Sequence, residues 1–197
     1  TDSYRLAKKT IVIDKVFDNA INIVIPGKNL LELSKIFDDD DNSVELHLFN
    51  NKILFKYKNI LFLSRLLSGT YPATSSIIPN SFEIEFECRA DEFYDMIDRA
   101  SLLTSDRDKN TISLILEKND LTISSNSPEI GKVEEKMVVN SDSEIKISFS
   151  SKFMLDAIKS FNTDKIKIYM NNDSNPIVVK SDEDISLVQL VLPIKTY

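Results

Sequence analysis

The sequence is poor in residues that several common folds and sites require. It has one cysteine, one histidine, three glycines and no tryptophan among 197 residues. A single cysteine cannot form an internal disulfide, so a reducing interior such as the cytoplasm is expected. No apolar run approaches the roughly 20 residues that span a bilayer, and the first residues do not resemble a signal peptide. These absences favour a globular chain without a membrane segment.

Most patterns of catalytic and metal-binding residues are absent as well. One histidine and one cysteine cannot supply a thiolate–imidazole zinc site, and neither a P-loop nor a dinucleotide-binding glycine pattern occurs. The acidic run 38–41 lacks the spacing of a calcium loop and is interpreted as a solvated turn. His47 is placed on the outer face of a predicted strand. Cys88 lies beside Arg89, which would lower its pKa, but a small half-buried residue is the simpler interpretation. No metal or cofactor is predicted.

Thr1 keeps one enzymatic hypothesis open. A processed N-terminal threonine can act as a nucleophile with its own amine as base, so an N-terminal-threonine hydrolase is an alternative function. A chain that begins without Met is expected to be cut or processed. The glycine-rich backbone and the lysine partner that such a site needs are not visible in the sequence.

A pattern of one strand, one helix and three strands recurs three times, with a period of about 60 residues. The copies begin near residues 22, 82 and 144. Helices are predicted over 28–37, 90–103 and 151–161, because apolar residues recur there at helical spacing. Runs of apolar residues predict the strands of the copies, which lie at 22–25, 44–49, 53–57, 60–65, 82–86, 111–116, 121–125, 133–139, 145–149, 165–170, 177–180 and 186–192.

Two such copies packed face to face would form a two-layer α+β domain of ordinary size. Three copies do not pair off, and the first copy is the odd one. Residues 4–7 and 10–13, which precede it, are predicted as strands without a helix of their own. The chain is therefore interpreted as a C-terminal fragment whose first domain is incomplete. The hydroxyl of Ser150 or Ser151 is expected to cap the third helix.

The outward faces of the three predicted helices carry mixed charges. Acidic residues accompany the basic ones on each helix, and the basic residues are Lys28, Lys35, Arg99, Lys152 and Lys159. An ordinary solvated surface explains such faces, and a weak contact with DNA phosphates that ignores base sequence is the functional alternative. The net charge of −7 disfavours nucleic-acid binding overall, although the distribution of charge matters more than its sum.

Several motifs together indicate a family. They are TDSYRLA at 1–7, VIPGK at 24–28, LLSGTYP at 66–72 with IIP at 77–79, NSPE at 126–129 and VLPI at 191–194. In this order across the whole chain, they resemble the bacterial DNA polymerase III β subunit family, the replicative sliding clamps. The sequence departs from the family pattern at Tyr4, Ala73, Ser75, Ser76 and in 196–197.

The resemblance implies a DNA-clamp fold of repeated strand–helix–strand–strand–strand units, with sheets outside and helices lining the inner face. It implies that residues 1–79 are the second half of a middle domain with its connection, and that 80–197 are a complete C-terminal domain. It further implies a non-catalytic processivity factor that, when complete, closes head to tail as a homodimeric ring around double-stranded DNA. This fragment is expected to be monomeric, cytoplasmic and associated with the nucleoid.

The resemblance also implies a groove for short partner peptides that carry a Gln and a Leu-Phe pair. The expected partners are the α subunit of DNA polymerase III, the clamp loader, and repair and translesion polymerases. The groove residues carried over by motif are Thr1, Ser3, Tyr4, Arg5, Leu6, Pro72, Ser76, Ile77, Phe153, Pro176, Leu190, Leu192, Pro193, Ile194 and Lys195. Weaker matches place the ring interface at Leu102, Leu103, Glu129, Glu134 and Glu135. A β-rich peptide-binding module without a DNA role would share the groove and is the main alternative.

Overall fold

The structure is a computed structural model that describes residues 1–14, 20–38 and 43–195. These residues form a mixed α+β fold, as the sequence predicts. The helices are α1 (Gly27–Ser34), α2 (Ala90–Ser101) and α3 (Ser151–Lys159). The strands are β1 (Arg5–Lys9), β2 (Glu45–Leu48), β3 (Lys52–Tyr57), β4 (Ile60–Arg65), β5 (Ile84–Arg89), β6 (Thr111–Glu117), β7 (Asp120–Ser127), β8 (Gly131–Val138), β9 (Glu144–Ser150), β10 (Lys165–Met170), β11 (Ile177–Lys180) and β12 (Leu187–Val191).

Two copies of the repeat interlock through their first strands. β5 opens the second copy but pairs with β10 of the third, and β9 opens the third copy but pairs with β6 of the second. The results are a five-stranded sheet in the order β1-β12-β11-β10-β5 and a four-stranded sheet in the order β8-β7-β6-β9. The predicted pairing of two copies is confirmed, since each copy supplies the strand that completes the sheet of the other.

The core of these two copies lies between the helices and the two sheets. α2 contacts α3 and strands of both sheets, and α3 contacts β9 and β12. Phe93, Ile97 and Ala100 of α2 are fully buried, and the ring of Phe93 meets that of Phe86 edge to face at 6.1 Å. Because residues three and four apart share a helix face, the predicted apolar face of α2 is the buried one.

The chain divides into two compact units. The larger comprises the described residues of 1–13 and 74–197, and the smaller those of 14–73. β1 belongs to the larger unit because it pairs antiparallel with β12, from Arg5 opposite Val191 to Lys9 opposite Leu187. This grouping differs from the interpretation of 1–79 as one domain with its connection, and that boundary stays a prediction.

The smaller unit consists of α1 and a three-stranded sheet in the order β2-β3-β4. Leu33, Ile53 and Phe55 form its buried cluster, and the ring of Phe37 meets that of Tyr57 edge to face at 5.1 Å. Other apolar residues of this unit stay exposed, among them Leu30, Leu31, Leu46, Leu48, Leu61 and Leu63. One copy of the repeat therefore covers only part of its own apolar surface.

Two predicted strands are wrong. Residues 22–25 form no strand, and the carbonyl oxygen of Val24 accepts a hydrogen bond from the amide of Leu67 at 2.8 Å instead. Residues 10–13 form no strand either, and Val12 is 95% exposed. Within the described ranges neither segment is paired with a strand of a sheet, and a strand is stable only within a sheet.

Helix ends also differ from the predictions. α1 spans Gly27–Ser34 rather than 28–37, and α2 ends at Ser101 rather than 103. The predicted hydroxyl cap of α3 is wrong, because no side chain caps this helix and the Ser151 hydroxyl donates to the carbonyl oxygen of Asn110 at 3.0 Å. The acidic residues 39–41 and residues 196–197 lie outside the described part of the chain.

Candidate functional site

β1 brings the first residues of the chain beside the last strand. Antiparallel pairing sets Leu6 opposite Leu190, and beyond the ladder the amide of Leu192 donates to the carbonyl oxygen of Tyr4 at 2.9 Å. Buried Leu6 and Leu190 form a cluster with Val178, against which Leu192 and Ile77 pack. Groove residues predicted from opposite ends of the sequence are therefore adjacent in the structure.

Arg5 connects β1 to α3. Its guanidinium donates to the carboxylate of Asp156 at 2.6 Å and to that of Asp2 at 3.0 Å, and it lies 4.5 Å from the ring centroid of Phe153. Burial acts to lower the pKa of Arg5, but the hydrogen bonds with Asp156 and Asp2 raise it. Burial also acts to raise the pKa of Asp2, and hydrogen bonds from the Tyr4 amide and from Arg5 lower it. Arg5 is thus held as a cation at the junction.

Two cavities share Phe153 as a lining residue. The first, of about 360 Å³, includes the predicted groove residues Thr1, Arg5, Leu6 and Leu190. The second, of about 540 Å³, takes its apolar lining from Tyr4, Phe153, Leu192, Pro193 and Ile194. We call the second the lysine-rimmed cavity, because Lys109, Lys152 and Lys195 also line it.

The walls of the lysine-rimmed cavity are fixed by ring and backbone contacts. The rings of Tyr4 and Phe153 stack with centroids 6.4 Å apart. The segment after β12 follows β9, since Pro193 pairs with Phe149 and the amide of Ile194 donates to the carbonyl oxygen of Ser148 at 2.7 Å. An apolar concave surface with a few polar groups at its edge suits a peptide with bulky side chains.

Five predicted groove residues line neither cavity, and one of them, Ile77, packs against the Leu6–Leu190 cluster instead. Ser3 takes a positive φ of 75° in the turn before β1, and Pro176 is half-buried just before β11. Ser76 is exposed at the end of the 3-10 turn Thr74–Ser76, and Pro72 is exposed in the smaller unit. The structure thus brings together most of the predicted groove residues, and the groove assignment stays a prediction.

The prediction missed the polar side of the lysine-rimmed cavity. Asp106, Lys109 and Asn110 come from the loop after α2, and Ser150 comes from the end of β9. The sequence carried a signal for this loop, since Ser105 and Asp108 form a capping box around a short 3-10 turn. Nothing in that signal indicated which side chains face the cavity.

The basic residues of the helix faces differ in their pairing. Arg99 donates to Glu135 at 3.0 Å, and Lys35 pairs with Glu32 at 2.8 Å. Within the described ranges, Lys28, Lys152 and Lys159 have no ion-pair partner. Asp156, which the sequence places between Lys152 and Lys159, is paired with Arg5 instead. The outer face of α3 therefore keeps more unbalanced positive charge than the sequence indicates.

The residues predicted for a ring interface lie around β8, an edge strand of its sheet. Leu102 is 74% exposed, and Leu103 is half-buried. Glu129 is exposed just before β8, and Glu134 accepts hydrogen bonds from lysines on the same strand. Glu135 is paired with Arg99 of α2, so one acidic residue predicted for the interface already has a partner. An exposed edge with apolar neighbours can pair with a further strand.

Thr1 and Cys88 occupy structural positions. The Thr1 hydroxyl donates to the carbonyl oxygen of Arg5 at 2.6 Å, within the turn that precedes β1. Burial raises the pKa of Cys88 to about 12, and the carboxylates of Glu87 and Glu92 act in the same direction. The possible lowering by Arg89 is therefore wrong. Among the residues whose positions are described, no cluster of His, Cys, Asp and Glu could hold a metal ion.

None of the described helices combines the length and the apolar character that a membrane crossing needs.

Comparison with known families gives a direct match to two adjacent domains. Residues 75–195 match "DNA polymerase III beta subunit, C-terminal domain", and residues 1–73 match "DNA polymerase III beta subunit, central domain".

Curated relatives align over the whole chain. It is 44% identical over 200 residues to the beta sliding clamp of Bacillus subtilis (strain 168), and 41% identical over 199 residues to that of Staphylococcus aureus (strain Mu50 / ATCC 700699). The alignments cover 100% of this chain but 53% and 52% of these relatives. The chain therefore spans about half the length of the curated relatives that it matches.

Solved structures give the same result. The crystal structure of the Bacillus subtilis sliding clamp, 44% identical, superposes with a TM-score of 0.94 over 100% of this chain and 53% of that one. A Pseudomonas aeruginosa sliding clamp bound to griselimycin, 21% identical over 100% of this chain and 53% of that one, shares the fold with a TM-score of 0.93. The predicted DNA-clamp fold and the family resemblance of the motifs are confirmed. The chain belongs to the DNA polymerase III beta subunit family.

Proposed function

We propose that this chain is the partner-binding part of a DNA sliding clamp, and that its lysine-rimmed cavity and the adjoining Leu6–Leu190 cluster together bind short peptides of replication proteins. The observation that supports this proposal most directly is the junction of β1 and β12. There, residues from distant parts of the sequence come together, namely Tyr4, Leu6, Phe153 and Leu192. Fold alone would not support this function, because folds host many functions.

The chemistry of the junction fits a peptide with two bulky apolar side chains. Tyr4, Phe153 and Ile194 offer apolar surface in a concave setting, and the cluster around Leu6 offers a second apolar patch. Peptide interfaces take most of their binding energy from a few such buried anchors. The proposed ligands are segments with a Gln and a Leu-Phe pair from the α subunit of the polymerase, the clamp loader, and repair and translesion polymerases.

The proposed role toward DNA is topological and non-catalytic. Exposed Lys28, Lys152 and Lys159 suit weak contact with phosphates, which carry no base information, as a sliding protein requires. The proposed assembly is a head-to-tail ring of the full-length protein, with sheets outside and helices inside, that uses Leu102 and the edge of β8. The proposed location is the cytoplasm, on the nucleoid.

The test of the peptide site is fluorescence anisotropy with a labelled Gln-Leu-Ser-Leu-Phe amide. We expect saturable micromolar binding, which corresponds to about −8 kcal/mol. Leu192→Glu should abolish it, because a carboxylate would be desolvated among Tyr4 and Phe153. The matched control is Leu61→Glu on β4, which is 65% exposed and lines neither cavity. Equal binding by both variants would contradict the site.

A peptide-binding module without a DNA role would give the same anisotropy result. The two functions separate when Lys28, Lys35, Lys152 and Lys159 are changed to Glu in the full-length protein and clamp-dependent DNA synthesis is measured. We expect processive synthesis to be lost. Peptide affinity should fall only because of the change at Lys152, which lines the lysine-rimmed cavity. Unchanged synthesis would favour the module. A hydrolase that uses Thr1 would lose activity when its amine is blocked, and we expect no hydrolysis with or without blocking.

A further inference from the structure

We propose that the lysine-rimmed cavity selects partner segments in which a carboxylate adjoins the bulky apolar side chains, and that Lys109, Lys152 and Lys195 recognise that carboxylate. The inference rests on the proposed function, because it concerns the specificity of the same site. It names the chemistry of the preferred partner, an acidic apolar peptide, and the three residues that would determine the preference.

The first argument is the imbalance of charge at the cavity. Lys109 comes from the loop after α2, Lys152 from the first turn of α3, and Lys195 from the segment after β12. All three are exposed, and within the described part of the chain none has an ion-pair partner. Among the described residues that line the cavity, Asp106 is the one with a carboxylate side chain, and it accepts a hydrogen bond from the side-chain amide of Asn110 at 2.8 Å.

This concentration of positive charge stands out in an acidic chain. The net charge is −7, and many lysines elsewhere form ion pairs with nearby carboxylates, among them Lys9, Lys35, Lys56, Lys132, Lys165 and Lys167. In the ranges that the structure describes, none of the three lysines of the cavity forms such an ion pair. Complementary charge gives specificity and faster association at interfaces, so a ligand carboxylate is the counter-charge that the site would select.

The second argument is the fixed loop that carries Lys109. Lys109 and Asn110 have positive φ angles of 59° and 52°, a region that costs energy for residues with a side chain. The loop is held there by the Asn110 amide, which donates to the carbonyl oxygen of Ser105 at 2.8 Å. The carbonyl oxygen of Asn110 accepts bonds from the amide and hydroxyl of Ser151 at 2.8 and 3.0 Å.

These bonds join the loop to the start of α3, the helix that carries Lys152. The backbone at Lys109 is therefore positioned before a ligand arrives, and a positioned charge loses less entropy on binding. The apolar lining by Tyr4, Phe153 and Ile194 supplies anchors beside the charges. The combination distinguishes an acidic apolar peptide from a nucleic acid, whose phosphates would not use the apolar lining.

The test compares labelled peptides that differ only in flanking charge. The core probe is Gln-Leu-Ser-Leu-Phe amide, extended by Asp-Asp or by Asn-Asn either before Gln or after Phe, with a fifth probe that ends in the free carboxylate of Phe. Anisotropy titrations of the 197-residue chain give the dissociation constants. We expect at least one Asp-Asp probe to bind about three- to tenfold more tightly than its Asn-Asn counterpart, since each partly exposed charge pair contributes little alone.

The variants assign the preference to residues. The triple change Lys109→Gln, Lys152→Gln and Lys195→Gln should remove the advantage of the Asp-Asp probe while leaving the Asn-Asn probe within about twofold. Lys118→Gln in the turn between β6 and β7 is the matched control, because Lys118 is exposed and lines no part of the cavity. It should leave the advantage intact. High salt should reduce the advantage in the unchanged chain.

The outcomes separate this inference from the function on which it rests. If neither the core probe nor any extended probe binds, the proposed peptide site is contradicted. If the core and Asn-Asn probes bind but no acidic probe binds more tightly, the site stands and the acid preference is wrong. An advantage that survives the triple change also overturns the role of the lysines. An advantage confined to the free-carboxylate probe supports recognition of a terminal carboxylate rather than of aspartate side chains.

Discussion

The same repeat behaves differently in the two compact units. In 84–191, two copies exchange their first strands, and α2 buries Phe93, Ile97 and Ala100 completely. In 20–65, a single copy stands alone in its unit, and the described part of α1 buries Leu33 while Leu31 stays 59% exposed. Apolar spacing is helical in both units. The spacing of apolar residues therefore determines which side chains lie on one face of a helix. Whether that face is buried depends on the presence of other elements that pack against it.

The sheets show the same contrast. β5 and β9, the first strands of the paired copies, each add to the sheet of the other copy. The corresponding segment of the lone copy, 22–25, forms no strand. A first strand of this repeat is thus stable when a second copy offers it an edge. The local strand propensity of this segment is not sufficient for it to form a strand, because strand preference mostly reflects packing against neighbouring strands.

The strongest test of the contrast is a large-to-small substitution in the paired copies. Phe93→Ala removes a fully buried ring that contacts Phe86, so we expect the free energy of unfolding to fall by about 3–5 kcal/mol. Urea denaturation followed by circular dichroism measures the loss. Leu63→Ala on β4, where the side chain is 57% exposed, is the control and should change stability by less than about 0.5 kcal/mol. Equal losses would remove the distinction.

A smaller and more local effect is expected in the lone copy. Leu33→Ala deletes the one buried residue of α1, and we expect a loss of about 2 kcal/mol, at the low end for such a change, because the exposed surroundings can collapse onto the gap. Hydrogen exchange should speed up across α1 and β3 and stay unchanged across β6 and β10. Faster exchange throughout the chain would show that the two units unfold together.

The paired copies should carry a contribution to the alkaline pH dependence of stability that comes from the buried thiol of Cys88. Burial holds the pKa of Cys88 at about 12, whereas an exposed thiol titrates near 9.0. Above about pH 9 the unfolded chain loses a proton that the folded chain keeps. The free energy of unfolding should therefore fall as pH rises toward 12, by at most about 1.4 kcal/mol per pH unit. Below pH 9 this contribution is fully present.

Cys88→Ala isolates this contribution, because lysine and tyrosine titrations are common to both proteins. The difference in unfolding free energy between the unchanged chain and the variant should be constant from pH 7 to 8.5 and then shrink. A difference that stays flat to pH 10.5 would mean that the thiol ionises in the folded state. In that case a thiol reagent would also label the native protein, and Cys88 would not be part of a closed core.

The fold was largely predictable, because its signals are local or repeated. Helical spacing identified the buried face of α2, and the recurrence of the repeat predicted the pairing of two copies. The junction of Tyr4 with Leu192 came from the family resemblance rather than from periodicity, since it joins residues far apart in sequence. The predictions for segments 10–13 and 22–25 are wrong because apolar runs indicate a strand but do not indicate whether another strand is available to pair with it.

The pairing of charged side chains at the site could not be predicted from the sequence for a related reason. The spacing of Lys152, Asp156 and Lys159 gave a balanced helix face, yet Asp156 pairs with Arg5 from the other end of the chain. Arg99 and Glu135 were assigned to different surfaces and are paired with each other at 3.0 Å. Lys109 was missed altogether. Which charges cancel depends on tertiary contacts, and no helical or strand period carries that information.

The smallest expected effect concerns β1, which precedes the lone copy in sequence but lies in the sheet of the paired copies. Besides its ladder with β12, β1 is tied to α3 by the bond from Arg5 to Asp156. Both side chains are partly exposed, and Arg5 keeps Asp2 as a second partner, so Asp156→Asn should lower the free energy of unfolding by less than about 1 kcal/mol. Exchange of the β1 amides that face β12, for example those of Leu6 and Lys8, should be faster in this variant while β10 is unchanged.

Salt and a matched variant make that small effect interpretable. The difference between the unchanged chain and Asp156→Asn should shrink as ionic strength rises, because a partly exposed pair is screened. Asp142→Asn, an exposed carboxylate that forms no ion pair within the described ranges, should leave β1 exchange unchanged. If Asp156→Asn leaves β1 as protected as before, the ladder with β12 alone holds the strand, and Arg5 is then a feature of the cavity rather than of the fold. Faster exchange limited to β1 would show that the ion pair contributes to the junction on which the proposed peptide site depends.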